Sequence, residues 1–229
     1  MSTIKLLELL RAQVVPAIGC TEPVSIAIAV ATARNQVSGN ILAVLVQVSL
    51  NIFKNGMRVG IPGTSEKGIP FATALALVAG RPDMGLEIFR DVDSDAVEKA
   101  QSILDSDCIR IETVERDVDF YVYARVATEH DYAECVIESN HTNVTSIKRN
   151  GMELFGSKDS SHKNFNSDET VTACLDDIFS FAASVDPADL RFLLEGVTMN
   201  LDIAKIGKEA HYSSGFGPRL FRLMETECL

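Results

Sequence analysis

Several things are scarce in this chain, and each scarcity closes off a class of function. No run reaches about 18 uncharged apolar residues, the length a membrane-crossing helix needs, so no membrane span is expected. Positive charge is in deficit: 21 Lys and Arg against 32 Asp and Glu leave a formal net charge of −11. Nucleic acid and anionic lipid surfaces recruit basic patches, so neither partner is expected. The five cysteines form no CxxC pair, which excludes a self-contained zinc site of the usual spacing. The opening "MSTIKLLELLRAQVV" lacks the long apolar core and small-residue cleavage site of a secretory leader. It reads as an amphipathic helix of a cytoplasmic protein, where five free thiols are the ordinary expectation. The two Asn-x-Thr sequons at Asn140 and Asn143 then carry no glycan.

Familiar catalytic signatures are missing too. There is no His-Glu-x-x-His, no Gly-x-Ser-x-Gly and no dinucleotide-binding glycine fingerprint. Residues 85–119 hold eleven Asp and Glu against four Lys and Arg. Their "DVDSDA" invites a calcium reading. Ala96 and Ser102, however, stand where an EF-hand loop requires Gly and Glu, so the segment reads as a solvated helix.

What remains is a chain of 229 residues, long enough to bury a core without disulfides. Helices are expected at 3–13 and 22–35, with Thr21 as a cap and Pro23 in the first turn. Ala27, Ala29, Ala31 and Ala33 keep the second helix thin enough for a close neighbour. "ILAVLVQVSLN" reads as a strand with Leu42, Val44, Val46, Val48 and Leu50 on one apolar face. Its other face turns polar at Gln47, Ser49 and Asn51, marking either the approach to a site or a solvated edge. "NGMRVGIPGTSEKGIP" is dense in Gly and Pro, implying irregular backbone with amides free to bind a small anion, though it is not a Walker A loop. Helices follow at 69–80 and 94–104. Period-two strands run from 108 to 151, a polar connection follows, and helices are expected at 168–184 and 188–210.

The fold class expected from this order is α+β: a helical domain with an inserted small antiparallel-sheet α/β module. The expected segments are 1–85 (helical, with one strand and the Gly-rich loop), 86–155 (the inserted module) and 165–229 (helical, rejoining the first).

Three segments are distinctive: "PAIGCTEP" (16–23), "NIFKNGMRVGIPGT" (51–64) and "ESNHTNVTSIKRNG" (138–151). In this order, with "MNLDIAKIGKEAHYSSGFG" (199–217), they resemble the L-cysteine desulfidase family, related to the α-chain of iron–sulfur L-serine dehydratases. The resemblance implies an iron–sulfur β-elimination lyase of amino-acid catabolism, taking L-cysteine to sulfide, pyruvate and ammonia. It implies a [4Fe–4S] cluster on three cysteines, whose open iron acts as a Lewis acid. Cys20 of the GCTEP segment would be the metal ligand present here. A cysteine at a helix N-terminus sits at the positive end of the helix dipole, which favours the thiolate that binds iron.

Glu22 either orients the loop or acts as acid or base, or it merely complements the helix dipole. His141 either abstracts the α-proton or hydrogen-bonds the substrate carboxylate, or it only ends a strand. Thr21, Asn51, Asn55, Gly63, Thr64, Ser65, Thr142 and Asn143 are the expected substrate contacts. Family members are longer. Their second half carries a GSGNQG-like loop and the remaining cluster cysteines, neither of which occurs in this sequence. The expectation is therefore a chain inactive by itself: a fragment of a longer enzyme, a natural truncation, or one half of a split enzyme completed by a complementary C-terminal chain, with a homo-oligomer as the other expected assembly. The alternatives are L-serine dehydratase-like activity and a non-catalytic small-molecule-binding or oligomerisation module.

Overall fold

The computed structural model describes residues 3–116, 119–156, 174–209 and 215–227. The order is α1 (Thr3–Gln13), α2 (Thr21–Arg34), β1 (Ile41–Val48), α3 (Leu50–Gly56), α4 (Gly68–Ala79), a 3-10 turn (Pro82–Glu87) and α5 (Ser94–Asp105). Then come β2 (Ile109–Thr113), β3 (Tyr121–Thr128), β4 (Tyr132–Glu138), β5 (Val144–Arg149) and β6 (Met152–Gly156). The chain continues through α6 (Leu175–Ser184), a second 3-10 turn (Pro187–Leu190), α7 (Arg191–Glu209) and α8 (Phe216–Glu227). This is the α+β class expected.

Two compact units emerge: residues 16–163, and residues 1–15 together with 164–229. The boundary expected at 85 falls inside the first of these. β1 is the reason, since it lies within the same six-stranded sheet as the later strands, in the order β2-β1-β3-β4-β5-β6. β1 and β2 run parallel and every other pair is antiparallel. A parallel neighbour needs a crossover connection, and α3, α4 and α5 provide it.

One face of the sheet builds the core. Val44, Val46 and Val48 of β1 stand opposite Val126, Ala124 and Val122 of β3. Those in turn face Ala133, Cys135 and Ile137 of β4, and all nine are buried. Their alternation with exposed or half-buried neighbours is the period-two pattern of a strand with one covered face. Helix α2 packs on β3 and β4 and also on α4. Every residue from Pro23 to Ala33 is consequently buried, which is why the helix shows little amphipathicity. The alanine row admits the close neighbour: a Cβ built on Gly80, at the end of α4, would lie 2.6 Å from the Cβ of Ala31.

The other sheet face is a polar ladder. Gln47 donates to Glu112 at 2.9 Å, and the Tyr123 hydroxyl donates to Glu134 at 2.7 Å. Arg125 lies 4.2 Å above the Tyr132 ring. Burial, reinforced by the Glu134 carboxylate, pushes the Tyr123 hydroxyl pKa up. Gln47 thus belongs to a cross-strand pair.

Four expectations need correction. The strand ends at Val48, and Ser49 turns the chain into α3, so Leu50 opens a helix and is 68% exposed. Leu42 is 58% exposed as well, because an irregularity between Ile41 and Ala43 breaks the alternation. Thr21 is the first residue of α2, and the cap position belongs to Cys20. β6 and α8 form where only a continuation and a tail were expected. Residues 168–173 of the helix expected at 168–184, and Cys228, lie outside the described residues.

Candidate functional site

The three distinctive segments, far apart in sequence, meet. Gly19 adopts φ +78°, a conformation open to glycine at little cost. A Cβ there would lie 2.5 Å from Cγ of Pro62, so the turn before α2 rests directly on the Gly-rich loop. The preceding residue is tied down as well, with the Ile18 amide donating to the Leu86 carbonyl. On the other side, a Cβ on Gly56 would lie 2.9 Å from Ile69 and 3.9 Å from the Glu22 Cβ. The loop closes on itself through a Gly60–Lys67 bridge and the bond from the Gly68 amide to the Val59 carbonyl.

Glu22 is the centre of the arrangement. The Cys20 thiol donates to Oε2 at 2.8 Å, and the Asn55 amide donates to Oε1 at 3.0 Å. Thr21 donates more weakly to Oε2, at 3.4 Å. His141, at the β4–β5 turn, lies within electrostatic reach of the same carboxylate. Its ring meets Phe120 edge-on, with centroids 4.6 Å apart. The Ser139 amide donates to the Phe120 carbonyl and so fixes that turn. Phe120 was not legible as a site residue. It follows a polar stretch and reads as the edge of a strand.

The electrostatics follow from these contacts. Burial works to raise the Glu22 pKa, but the hydrogen bonds from Cys20, Asn55 and its own amide, with His141 nearby, hold the carboxyl below its ordinary value. Burial pushes His141 down, and the Glu22 charge opposes this only in part. The imidazole is therefore neutral near pH 7. Burial is also the largest influence on Cys20, and with the Glu22 carboxylate it pushes the thiol up. The amides of Thr21 and Glu22 pull the other way, as a helix N-terminus should, and are outweighed. The expected thiolate is thus disfavoured. Cys20 instead holds its proton on Glu22.

The other expected contacts divide. Asn51 stands one turn before Asn55, on the same face of α3. It lines an open depression of about 620 Å³ with Ser49, Arg116 and Asp119. The Ser49 hydroxyl is buried there without a partner. Thr64 is committed to its own turn, donating to the Ile61 carbonyl and accepting from the Glu66 amide. Gly63 is left-handed, with φ +76°, and shapes that turn. Ser65 reaches only Glu66, at 3.4 Å. Thr142 bonds Asn140, and Asn143 donates to the Glu138 carbonyl, closing the β4–β5 turn. The bonds of Thr64, Ser65, Thr142 and Asn143 are thus made within their own turns.

A cubane cluster does not fit the described residues by themselves. No group of three or more His, Cys, Asp or Glu is placed to hold a metal among them. Cys108 contacts the Ile103 carbonyl at the start of β2, and Cys135 is buried under α2 with its pKa pushed up to about 12. Cys174 opens α6, in the other unit. Among the described residues, Cys20 is the one thiol at the site.

No family model matches the sequence, and no solved structure matches it. Curated proteins do. The chain is 33% identical over 218 residues to a UPF0597 protein of Clostridium tetani, covering 94% of this chain and 51% of the relative. A UPF0597 protein of Caldanaerobacter subterraneus subsp. tengcongensis is 34% identical over 225 residues, which is 97% of this chain and 53% of that one. One from Elusimicrobium minutum is 34% identical over 204 residues, 88% of this chain and 48% of the relative. The chain spans about half the length of the curated relatives it matches, and over nearly all of its own length it is similar to UPF0597 proteins.

Proposed function

We propose that this chain carries the substrate-binding and proton-transfer half of a β-elimination lyase acting on a small amino acid, L-cysteine by its resemblance to the cysteine desulfidases. The observation that carries the reading is the convergence of GCTEP, the Gly-rich loop and the His141 turn on the Glu22 carboxylate. In the elimination, the α-proton passes to a base and the Cα–H electron pair forms the new double bond. The Cβ–S bond breaks, and sulfide departs with its electrons. The aminoacrylate that remains hydrolyses to pyruvate and ammonia.

His141, neutral near pH 7, is the residue suited to accept that proton. Glu22 stays ionised, so it orients the site and stabilises the imidazolium once it forms. Asn55 and the loop amides are donors for a substrate carboxylate. The [4Fe–4S] cluster implied by the resemblance would require sulfur ligands beyond those of the described residues, and no step here passes through it. L-Serine presents the same α-proton and a hydroxide leaving group, so a serine dehydratase-like activity is the second reading of the same site.

The test is titration of L-cysteine and L-serine into the chain, followed by the His141 ring resonances. Sulfide and pyruvate are assayed in parallel after anaerobic supply of iron and sulfide. Both amino acids should shift His141, and Asn55→Ala, which removes a donor to the substrate carboxylate, should weaken binding by about tenfold or more, the value of a lost charged hydrogen bond. A His141 signal indifferent to both amino acids would sink the proposal.

A further inference from the structure

The second compact unit carries far more exposed apolar surface than a helical unit of its size normally presents. On α7, Leu194, Val197 and Leu201 are 52–64% exposed. At helical spacing they share one flank with Ala204. Met199, Ile203 and Ile206, 45–64% exposed, occupy roughly the opposite flank. A helix apolar on two opposite sides belongs inside a layer, with neighbours on both. Helix α8 approaches the first flank without closing it. A groove of about 590 Å³ remains between them, lined by Leu201, Ala204, Lys208, Phe216 and Phe221. Leu175 and Phe179 of α6 are 72% and 71% exposed as well.

We propose that these flanks of α7, with the adjoining face of α8, are the docking surface for a polypeptide equivalent to the half of the relatives outside the matched residues. Two observations select that occupant. The match takes in 94% of this chain but 51% of the Clostridium tetani relative, so the unmatched part is about as long as this chain. The surface is also two-sided. A second copy joined by a two-fold axis presents one patch to the same patch, and one such contact covers one flank of α7. A polypeptide of domain size can cover both. This proposal is independent of the amino-acid reading of the Cys20 site.

The test compares this chain alone with a chimera in which it replaces the matched 218 residues of the Clostridium tetani relative. Ile203→Cys is labelled with a maleimide, and the rate is read on its own peptide by mass spectrometry. Hydrogen exchange over 194–206 in the unsubstituted proteins gives a second readout should the variant misfold. Labelling and exchange should slow by an order of magnitude or more in the chimera, and in the isolated chain both should be fast at every concentration. Equal rates in the two proteins would overturn the proposal, as would a chimera that aggregates through this segment. Protection of the isolated chain that disappears on dilution would also overturn it, in favour of a second copy.

Discussion

Replacing Gly19 by alanine tests whether contact between the GCTEP turn and the Gly-rich loop holds the site together. Gly19 has φ +78°, and the new methyl would lie 2.5 Å from Cγ and 3.1 Å from Cδ of Pro62. A left-handed backbone costs a non-glycine residue roughly 1–2 kcal/mol. Forcing a methyl into a filled contact costs roughly 1–3 kcal/mol more. A proline ring cannot swing aside as a flexible side chain would, so the loop itself must move. Alanine also stiffens the unfolded chain, which offsets about 0.4–1 kcal/mol. The expected net loss is about 1–4.5 kcal/mol. Gly60→Ala is the matched control, since nothing lies within 4 Å of its Cβ and its φ is not left-handed. It should leave stability unchanged or raise it slightly, by at most about 1 kcal/mol. Urea unfolding followed by tyrosine fluorescence is suited to the measurement. The chain has no tryptophan, and Tyr121, Tyr123 and Tyr132 lie on β3 and β4 of the same unit. If the two variants unfold at midpoints corresponding to the same stability, the contact does not constrain the site and the reasoning fails.

Glu22→Gln should lower the Cys20 pKa, because it removes a carboxylate that both accepts the S–H bond and repels the thiolate. Alkylation of Cys20 by iodoacetamide at mildly alkaline pH should then speed up, and an unchanged or slower rate would contradict the assignment. Because the Glu22 pKa in the folded protein lies below its ordinary 4.5, its contribution to stability is complete above that value and fades as pH falls through the lower folded one. The difference between wild type and Glu22→Gln should therefore shrink in acid, and a gap constant with pH would refute it. His141 should titrate below its ordinary 6.5 and lower still in Glu22→Gln, since the carboxylate is what raises it; an upward move on ring-proton NMR would reverse the argument. Phe71→Ala removes a ring only 2% exposed at the heart of the core and should cost about 3–5 kcal/mol by the same unfolding assay, while a cost under about 1 kcal/mol would mean the core is loosely packed there.

Local sequence was enough to locate α2 from Pro23 in its first turn, α4 from its short apolar run, α5 as a solvated helix, and strands β2 to β5 from their alternation, because each of these signals is a property of consecutive residues. It also gave the small-residue surface of α2, and the three segments that meet at the candidate site stood out as local motifs rather than by composition. Other features were fixed only when distant segments met. Nothing in "ILAVLVQVSLN" shows that β1 pairs with both β2 and β3, since strand pairing is set by register with partners more than sixty residues away. The bonds that Thr64, Ser65, Thr142 and Asn143 make were not legible for a similar reason. Polar side chains in tight turns bond to neighbours within the turn, backbone or side chain, and sequence does not show which. The state of Cys20 depended on three dimensions most of all. Sequence placed it at a helix N-terminus, where the dipole favours the thiolate. Folding then buried it against the Glu22 carboxylate, and desolvation with like-charge repulsion outweighed the amides.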